Sequence, residues 1–333
     1  MKIYLAGDSI VQNYEKEEFI AGWGQFLPFF IKDGVEVVND AKGGRSSRLF
    51  INEGRFDNIE KNISAGDYLL IEFCHNDDAS KEYKTMFNRL TPLGEPDSEG
   101  RFPIIPGEAM PKDYIPPEYI DALRKDENVK NKQAVLDSVY KILESYPHDT
   151  YYPYSADGSK GTYLWFLKQF VDMAREKGAV PVFVTAPART VYDANGNIKD
   201  GAGLHGGNNF AYIRAMKQLG EEAKVPVIDL FAYSCGLYKQ IGKEKIHWIT
   251  SIKKGCNKGI WPDDFNSEMQ KKETVSEDTH FNKYGAMLIT QGLVKLIKES
   301  DSSQLDGLKG MFKNPDGIDI EKYVKKPLVF EEF

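Results

Sequence analysis

The amino-acid sequence predicts an α/β protein built on a doubly wound, parallel sheet of about five strands. Two patterns in the sequence support this fold class. Near-continuous apolar runs of strand length recur along the chain, which indicates strands buried on both faces of a parallel sheet. Segments with the period of amphipathic helices separate these runs, as the helices that cover such a sheet require. The chain has 333 residues, which is enough to bury a core of this size.

Each predicted strand is an apolar run that ends at a turn-forming sequence. The five strands are expected at residues 2–6, 35–38, 67–73, 180–185 and 225–230. Helices are expected at residues 23–31, 52–63, 163–177, 210–224 and 286–297. This alternation predicts a flavodoxin-like domain, in which ligands bind at the carboxyl ends of the strands.

The segment 79–160 interrupts the alternation. It has many Pro, Tyr, Glu and Lys residues and one clear helical pattern, at residues 131–143. So long a segment is uncommon as a structureless loop in a compact domain. We therefore expect an insertion after the third strand that forms a wall over the active-site edge. The whole range 1–300 is expected to form a single domain, followed by a C-terminal tail at 301–333.

The composition argues against several classes of partner and site. The net charge is −7, and no block of Lys and Arg is long enough to bind nucleic acid. No apolar run approaches the length needed to span a membrane. The three cysteines lie far apart and form no Cys-x-x-Cys pair, so neither a disulfide framework nor a zinc site is expected. The first strand begins at once without a leader sequence, which favours a cytoplasmic location.

Polar residues follow the first three predicted strands at the point where each strand ends. Ser9 follows the first strand, Gly44 the second and Asn76 the third. Because the carboxyl ends of parallel strands lie at one edge of a sheet, we expect these residues to converge.

The converging residues match the requirements of a serine hydrolase, which needs a nucleophile, a base, a group that orients the base, and donors for the developing oxyanion. Ser9 is the candidate nucleophile. The backbone N–H groups of Ser9 and Gly44 and the side-chain amide of Asn76 are the candidate donors. His280, just before the last helix and beside two carboxylates, is the candidate base.

The four blocks resemble, in their order, those of the SGNH (GDSL) hydrolase family; they are Gly7-Asp8-Ser9, Gly44, Asn76 and His280. The sequences around them are similar to those of rhamnogalacturonan acetylesterases, at residues 39–41, 44–48, 53–56, 72–77 and 279–281. The resemblance covers residues 1–78 and roughly 160–299. It implies the SGNH hydrolase fold and a serine esterase without a cofactor. Such an enzyme removes short acyl groups, above all acetyl, from a carbohydrate such as pectic rhamnogalacturonan.

The sequence departs from the family pattern at two positions. Cys74 stands where the family usually has Gly before its His-Asn-Asp sequence. The family's acid is usually an Asp three residues before the His, and Glu277 occupies that position here, whereas Asp278 lies two residues before His280. Either Glu277 or Asp278 therefore orients His280.

Four further residues are candidates for substrate binding. Arg45 and Arg48 could bind uronate carboxylates in a bidentate manner, or could instead brace the loop after the second strand against Asp40 or Asp77. Trp23 is the aromatic residue closest to Ser9 in sequence and could stack on a sugar. His75 lies beside Asn76 and could contact substrate or serve as a structural hydrogen-bonding residue.

Two other interpretations remain open from the sequence. A GDSL lipase, lysophospholipase or thioesterase would use the same catalytic residues on a longer acyl chain, which requires a large apolar groove. A non-catalytic carbohydrate-binding protein could also be built on this scaffold. The second interpretation leaves the joint presence of Ser9, Asn76 and His280 without a purpose.

Overall fold

The computed structural model describes residues 1–15, 20–78, 89–199, 210–252 and 276–324; of Ile252, Ser276 and Glu277 the backbone alone is described. The strands are β1 (Lys2–Gly7), β2 (Glu36–Asn39), β3 (Tyr68–Glu72), β4 (Met110–Pro111), β5 (Thr150–Tyr151), β6 (Val180–Val184), β7 (Val227–Ile228), β8 (Thr250–Ile252) and β9 (Ser276–Phe281). The α-helices are α1 (Trp23–Phe30), α2 (Ser47–Asn52), α3 (Arg55–Asn62), α4 (Pro117–Lys125), α5 (Lys132–Ser145), α6 (Tyr163–Glu176), α7 (Ala211–Ala223), α8 (Leu230–Ile241), α9 (Lys283–Glu299) and α10 (Asp306–Met311).

Five parallel strands form the central sheet in the order β2-β1-β3-β6-β7. Numbered within the sheet alone, this order is 2-1-3-4-5, which is the flavodoxin-like topology. The predicted doubly wound α/β fold is therefore confirmed. The carboxyl ends of β1, β2 and β3 are neighbours, as the convergence of their polar residues requires.

Two apolar cores cover the two faces of the sheet. Along β1, Ile3 and Leu5 face a core shared with α1, α8, α9 and α10. Tyr4 and Ala6 face a second core shared with α6 and α7. Successive strand residues point to opposite faces, so burial on both faces explains why the strands read as continuous apolar runs.

Some element boundaries differ from the prediction. The helix expected at 52–63 is α3, which begins at Arg55, and the short helix α2 before it was not predicted; Gly54 between them has a left-handed backbone with φ of 70°. The fifth strand is shorter than expected because Asp229 already caps α8, with its carboxylate accepting the N–H of Ala232 at 3.2 Å.

The insertion after β3 has its own small core. The antiparallel pair β4 and β5 and the helices α4 and α5 enclose an apolar cluster that includes Tyr119, Leu123 and Leu143. Leu49 of α2 belongs to the same cluster. The insertion therefore packs against the helix that follows the Gly44 loop.

The segment after α9 packs on the sheet domain through residue 324. Leu305, Leu308 and Phe312 are fully or almost fully buried in the same core as α1 and α9. Phe312 also forms a β-bridge with Ile31. The described part of the predicted tail therefore contributes apolar side chains to the core, and residues 325–333 lie outside the described range. Within the described ranges, no helix has both the length and the apolar character needed to cross a bilayer.

Candidate active site

Ser9 and His280 lie side by side at the carboxyl edge of the sheet. Nε2 of His280 is 2.8 Å from Oγ of Ser9. β1 ends at Gly7, and a tight turn follows in which the N–H groups of Val11 and Gln12 donate to the carbonyl of Asp8. The turn places the Ser9 hydroxyl beyond the strand and partly exposed. At this distance an imidazole can take the proton of a hydroxyl.

The backbone around His280 is fixed by the cap of the following helix. Asn282 caps α9, because its side-chain oxygen accepts the N–H of Gly285 at 2.9 Å. The amide group of Asn282 also donates to the carbonyl of Trp248 at 2.7 Å. On the other side, the carbonyl of Phe281 accepts the N–H of Ala21 at 2.8 Å. These contacts hold the end of β9 against the segment that leads into α1.

Two backbone N–H groups are available at the site. Within the described part of the chain, the N–H groups of Ser9 and Gly44 donate to no acceptor. Gly44 has a left-handed φ of 81°, which glycine adopts without steric strain. The side chain of Gln12 accepts the N–H of Gly43, and the hydroxyl of Tyr14 donates to the carbonyl of Ser9 at 3.0 Å. The two turns are thus joined, with both N–H groups at the same edge.

Asn76 is oriented by a buried carboxylate. Nδ2 of Asn76 donates to Asp8 at 2.9 Å, and the other oxygen of Asp8 accepts the N–H of Ile10 at 2.9 Å. Burial raises the pKa of Asp8 to about 6, although both hydrogen bonds and the charges of His280 and Arg89 oppose this rise. One N–H of the Asn76 amide is held by Asp8, which leaves the second N–H for a ligand.

Two more buried carboxyl groups surround Asp8. Glu72 lies opposite Gly7 in the sheet register, and burial raises its pKa well above the ordinary value, with the charges of Asp8 and Asp77 adding to the rise. Asp77 accepts the N–H of Ser47 at 3.0 Å, at the start of α2. Burial raises the pKa of Asp77 to about 7. Asp8 and Asp77 therefore connect the loops after β1 and β3 with each other and with α2 beneath the site.

Of the two candidate acids near His280, Asp278 is the one whose side chain the structure describes. The carboxylate of Asp278 forms an ion pair with Arg189 and accepts the hydroxyl of Thr279 at 3.0 Å. The side chain of Glu277 lies outside the described residues. β9 is irregular, since Phe281 lies opposite Thr250 while Ser276 lies opposite Ile252. The simple alternation of a strand therefore does not decide which side chain faces His280.

Trp23 does not have the role expected for it. Its side chain has no exposed surface and packs in the core beneath α1 and α9. Its carbonyl accepts the hydroxyl of Thr290, at 2.9 Å, which joins α1 to α9. A fully buried ring offers no face to a sugar, so the expectation that Trp23 stacks on substrate is corrected to a structural role.

Arg48 is buried, with 1% of its surface exposed. Its Nε and Nη2 donate to the carbonyl of Leu90 at 3.0 and 2.8 Å, and its Nη1 donates to the carbonyl of Tyr152 at 3.0 Å. Burial lowers the pKa of Arg48. The guanidinium group joins α2 to the insertion, so it does not reach a substrate carboxylate.

Arg45 and His75 are also occupied by contacts within the protein. Arg45 forms a bidentate ion pair with Glu53 at 2.8 and 2.9 Å and donates to the carbonyl of Gly43 at 2.7 Å. His75 is 1% exposed, and its Nε2 lies 3.0 Å from the carbonyl oxygen of Pro187. Arg45 thus braces the loop after β2, with Glu53 as its partner in place of the expected Asp40 or Asp77.

Sequence reasoning missed three residues near the site. Asp8 was included only as part of the Gly-Asp-Ser sequence, although an Asp at the first position of a turn commonly accepts the N–H two residues further on, as Asp8 does from Ile10. Arg189 follows β6 and pairs with Asp278, which lies 89 residues further along the chain. No pattern in the sequence near either residue indicates this ion pair. Arg89 lies beside Gly44 but belongs to the insertion, where no motif marks it.

Comparisons with known proteins agree with this fold and arrangement. No protein-family model matches the chain. The rhamnogalacturonan acetylesterase RhgT of Bacillus subtilis is 30% identical over 300 residues, which cover 90% of each chain. The probable rhamnogalacturonan acetylesterase YesY of the same organism is 30% identical over 298 residues, 89% of this chain and 92% of that one. The crystal structure of the Bacillus subtilis protein YxiM superposes with a TM-score of 0.52 at 20% identity, over 91% of this chain and 57% of that chain, which supports the fold.

A relative at this level of identity and coverage defines the family. The chain belongs to the SGNH hydrolases, in the group of the rhamnogalacturonan acetylesterases. The resemblance seen in the sequence is therefore confirmed.

Proposed function

We propose that this protein is a serine esterase that removes acetyl groups from a carbohydrate, with acetylated rhamnogalacturonan as its substrate. The observation that carries the proposal is the contact of 2.8 Å between Nε2 of His280 and Oγ of Ser9. The relatives named rhamnogalacturonan acetylesterase support the choice of substrate. A non-catalytic binding protein would have no need for this contact beside free N–H groups.

The reaction begins when Ser9 attacks the ester carbonyl while His280 takes the hydroxyl proton. The carbonyl oxygen becomes an oxyanion, which the N–H groups of Ser9, Gly44 and Asn76 stabilise. His280 then gives its proton to the departing sugar oxygen, leaving an acetyl group on Ser9. A water molecule, deprotonated by His280, attacks the acetyl-enzyme, and the proton returns to Oγ of Ser9 as acetate leaves.

Glu277 is the residue that we assign to orient His280. An orienting carboxylate fixes the imidazole tautomer and stabilises the imidazolium that forms during the reaction. The Asp278 carboxylate is already bound by Arg189 and Thr279, which supports the assignment to Glu277. Glu277 also holds the position of the family's acid, three residues before His280.

Ser9→Ala tests the proposal directly. The variant should fold normally and lose several orders of magnitude in kcat on p-nitrophenyl acetate, because no other group on the attack path replaces the nucleophile. The matched control is Ser138→Ala, an exposed serine of α5 whose hydroxyl donates to Ala134 within the helix. Near-normal turnover by Ser9→Ala would refute the serine-esterase mechanism.

The acyl group and the sugar are tested with the wild-type protein. Rates on p-nitrophenyl esters should fall steeply from acetate to octanoate, and acetate should be released from acetylated rhamnogalacturonan faster than from acetylated xylan. A preference for octanoate would instead favour a lipase or thioesterase.

A further inference from the structure

The guanidinium group of Arg89 lies over the Gly44 turn. A Cβ atom built on Gly44 would be 3.5 Å from Nη2, 3.8 Å from Cζ and 3.9 Å from Nε of Arg89. These three similar distances mean that the plane of the guanidinium group covers this face of Gly44. The turn also adjoins Ser9, since a Cβ atom on Gly43 would be 3.4 Å from Cβ of Ser9. Arg89 therefore stands at the mouth of the candidate active site.

The chain segment that carries Arg89 is anchored to the scaffold of the site. The next residue, Leu90, presents its carbonyl to two N–H groups of the buried Arg48. Beyond it, the N–H of Thr91 donates to the carbonyl of Asp77 at 3.1 Å, and the hydroxyl of Tyr212 donates to the carbonyl of Thr91 at 2.6 Å. Arg89 is thus placed by contacts to α2, to the loop after β3 and to α7.

The side chain of Arg89 is exposed, and its charge acts on the buried carboxyl group of Asp8. Across the described ranges, its guanidinium group forms no ion pair and no hydrogen bond. Arg45 and Arg189, in contrast, are paired with Glu53 and Asp278. In a chain with a net charge of −7, this leaves a positive group beside the oxyanion donors.

We propose that Arg89 binds the carboxylate of a uronic acid unit that carries, or adjoins, the acetyl ester to be cleaved. The inference rests on the proposed function and deepens it, because galacturonan chains present one carboxylate on each uronic acid unit. A guanidinium group binds a carboxylate through two parallel N–H···O bonds. Arg89 thereby distinguishes acetylated uronates from acetylated neutral sugars at the same Ser9. It takes the role that the sequence suggested for Arg45 and Arg48.

The test compares two acetyl esters that differ only at C6: an O-acetylated methyl galacturonoside, which is charged there, and its uncharged C6 carboxamide. Wild type should have the higher kcat/KM on the free acid. In Arg89→Gln, the ratio of the two kcat/KM values should fall by about 10- to 100-fold, since a hydrogen-bonded charge pair is lost. The effect should lie mainly in KM, and Arg89→Lys should retain part of the preference because it keeps the charge but not the planar fork.

The matched control is Arg124→Gln, an arginine of the insertion whose side chain is 74% exposed. This variant removes the same charge from the protein, so it reports any general effect of net charge on an anionic substrate. The ratio of its two kcat/KM values should equal that of wild type. A second readout is competitive inhibition of p-nitrophenyl acetate hydrolysis by free galacturonate, which should weaken in Arg89→Gln and not in Arg124→Gln.

Four outcomes would overturn the inference. An unchanged ratio in Arg89→Gln would mean that Arg89 does not contact the carboxylate. Equal losses on both esters, with thermal unfolding unchanged, would mean that Arg89 acts on the oxyanion. Turnover by wild type without any preference for the free acid would overturn the role of Arg89 and leave the proposed function standing. No turnover of either acetyl ester would overturn both the role of Arg89 and the proposed function.

Discussion

Replacing Asp8 with asparagine alters the carboxylate that holds the oxyanion donor Asn76 in place. The carboxylate of Asp8 accepts N–H groups from Asn76 and Ile10, each at 2.9 Å. In Asp8→Asn, one oxygen becomes an NH2 group, which cannot accept a hydrogen bond. One of the two N–H groups then faces another donor at a position with no exposed surface.

The size of the effect follows from what Asn76 contributes. Loss of one oxyanion donor costs about 2.7–4 kcal/mol, or roughly 10²–10³ in kcat, which is the expected result for Asn76→Ala. Asp8→Asn keeps the donor but loosens its orientation, so we expect a smaller loss, of about 10- to 100-fold. The unsatisfied group should also reduce the free energy of unfolding by about 1–3 kcal/mol.

The assay is a double-mutant cycle in kcat on p-nitrophenyl acetate, with thermal unfolding of each variant to show that it is folded. If Asp8 acts through Asn76, the double variant should lose no more than Asn76→Ala alone, within about threefold. The matched control is Asp97→Asn, because the exposed Asp97 also accepts two backbone N–H groups, from Glu99 and Arg101. That control should retain full kcat.

Two results would refute this reasoning. Losses that multiply in the double variant would mean that Asp8 and Asn76 contribute independently. Full activity of Asp8→Asn would mean that the Asn76 amide keeps its orientation without a carboxylate.

Two further predictions concern acidic residues. Glu277→Gln should lose most of its kcat and Asp278→Asn little, because the Asp278 carboxylate is bound by Arg189; the reverse pattern in assays at fixed pH would assign Asp278 as the acid. The second concerns Glu72, whose pKa is raised above its ordinary 4.5 by burial. The folded state then binds this proton more tightly than the unfolded state, so the contribution of Glu72 to stability falls as pH rises above 4.5. Glu72→Gln should therefore gain stability relative to wild type as the pH rises above 4.5, by up to about 1.4 kcal/mol per pH unit until the pH passes the pKa of Glu72 in the folded state; a difference in thermal unfolding that does not change with pH would contradict this.

The sheet and the residues at its edge could be predicted because their signals are local. Each of the residues Ser9, Gly44 and Asn76 follows an apolar run. The carboxyl ends of parallel strands lie at one edge of the sheet, and this does not depend on the structure of the other segments. The length of the fifth strand was overestimated because Asp229 caps the next helix, and a cap and a strand end have similar residue preferences.

Burial and pairing depend on distant residues and could not be predicted. Arg48 follows the glycine-rich loop, where an exposed arginine would have been well placed for substrate. Its acceptors Leu90 and Tyr152 lie 42 and 104 residues further along the chain. Trp23 was placed at the site because it is close to Ser9 in sequence, but the packing of α9 encloses it.

The burial of Arg48 also explains why an insertion without a recognisable motif can contribute to the site. A buried charge that loses its partners destabilises a protein by about 3–5 kcal/mol. If the insertion moved away, Arg48 would lose the carbonyls of Leu90 and Tyr152 together. The segment that carries Arg89 is therefore held to α2, the same helix that follows Gly44. Arg48 thus fixes the distance between Arg89 and the oxyanion donors without touching the substrate itself.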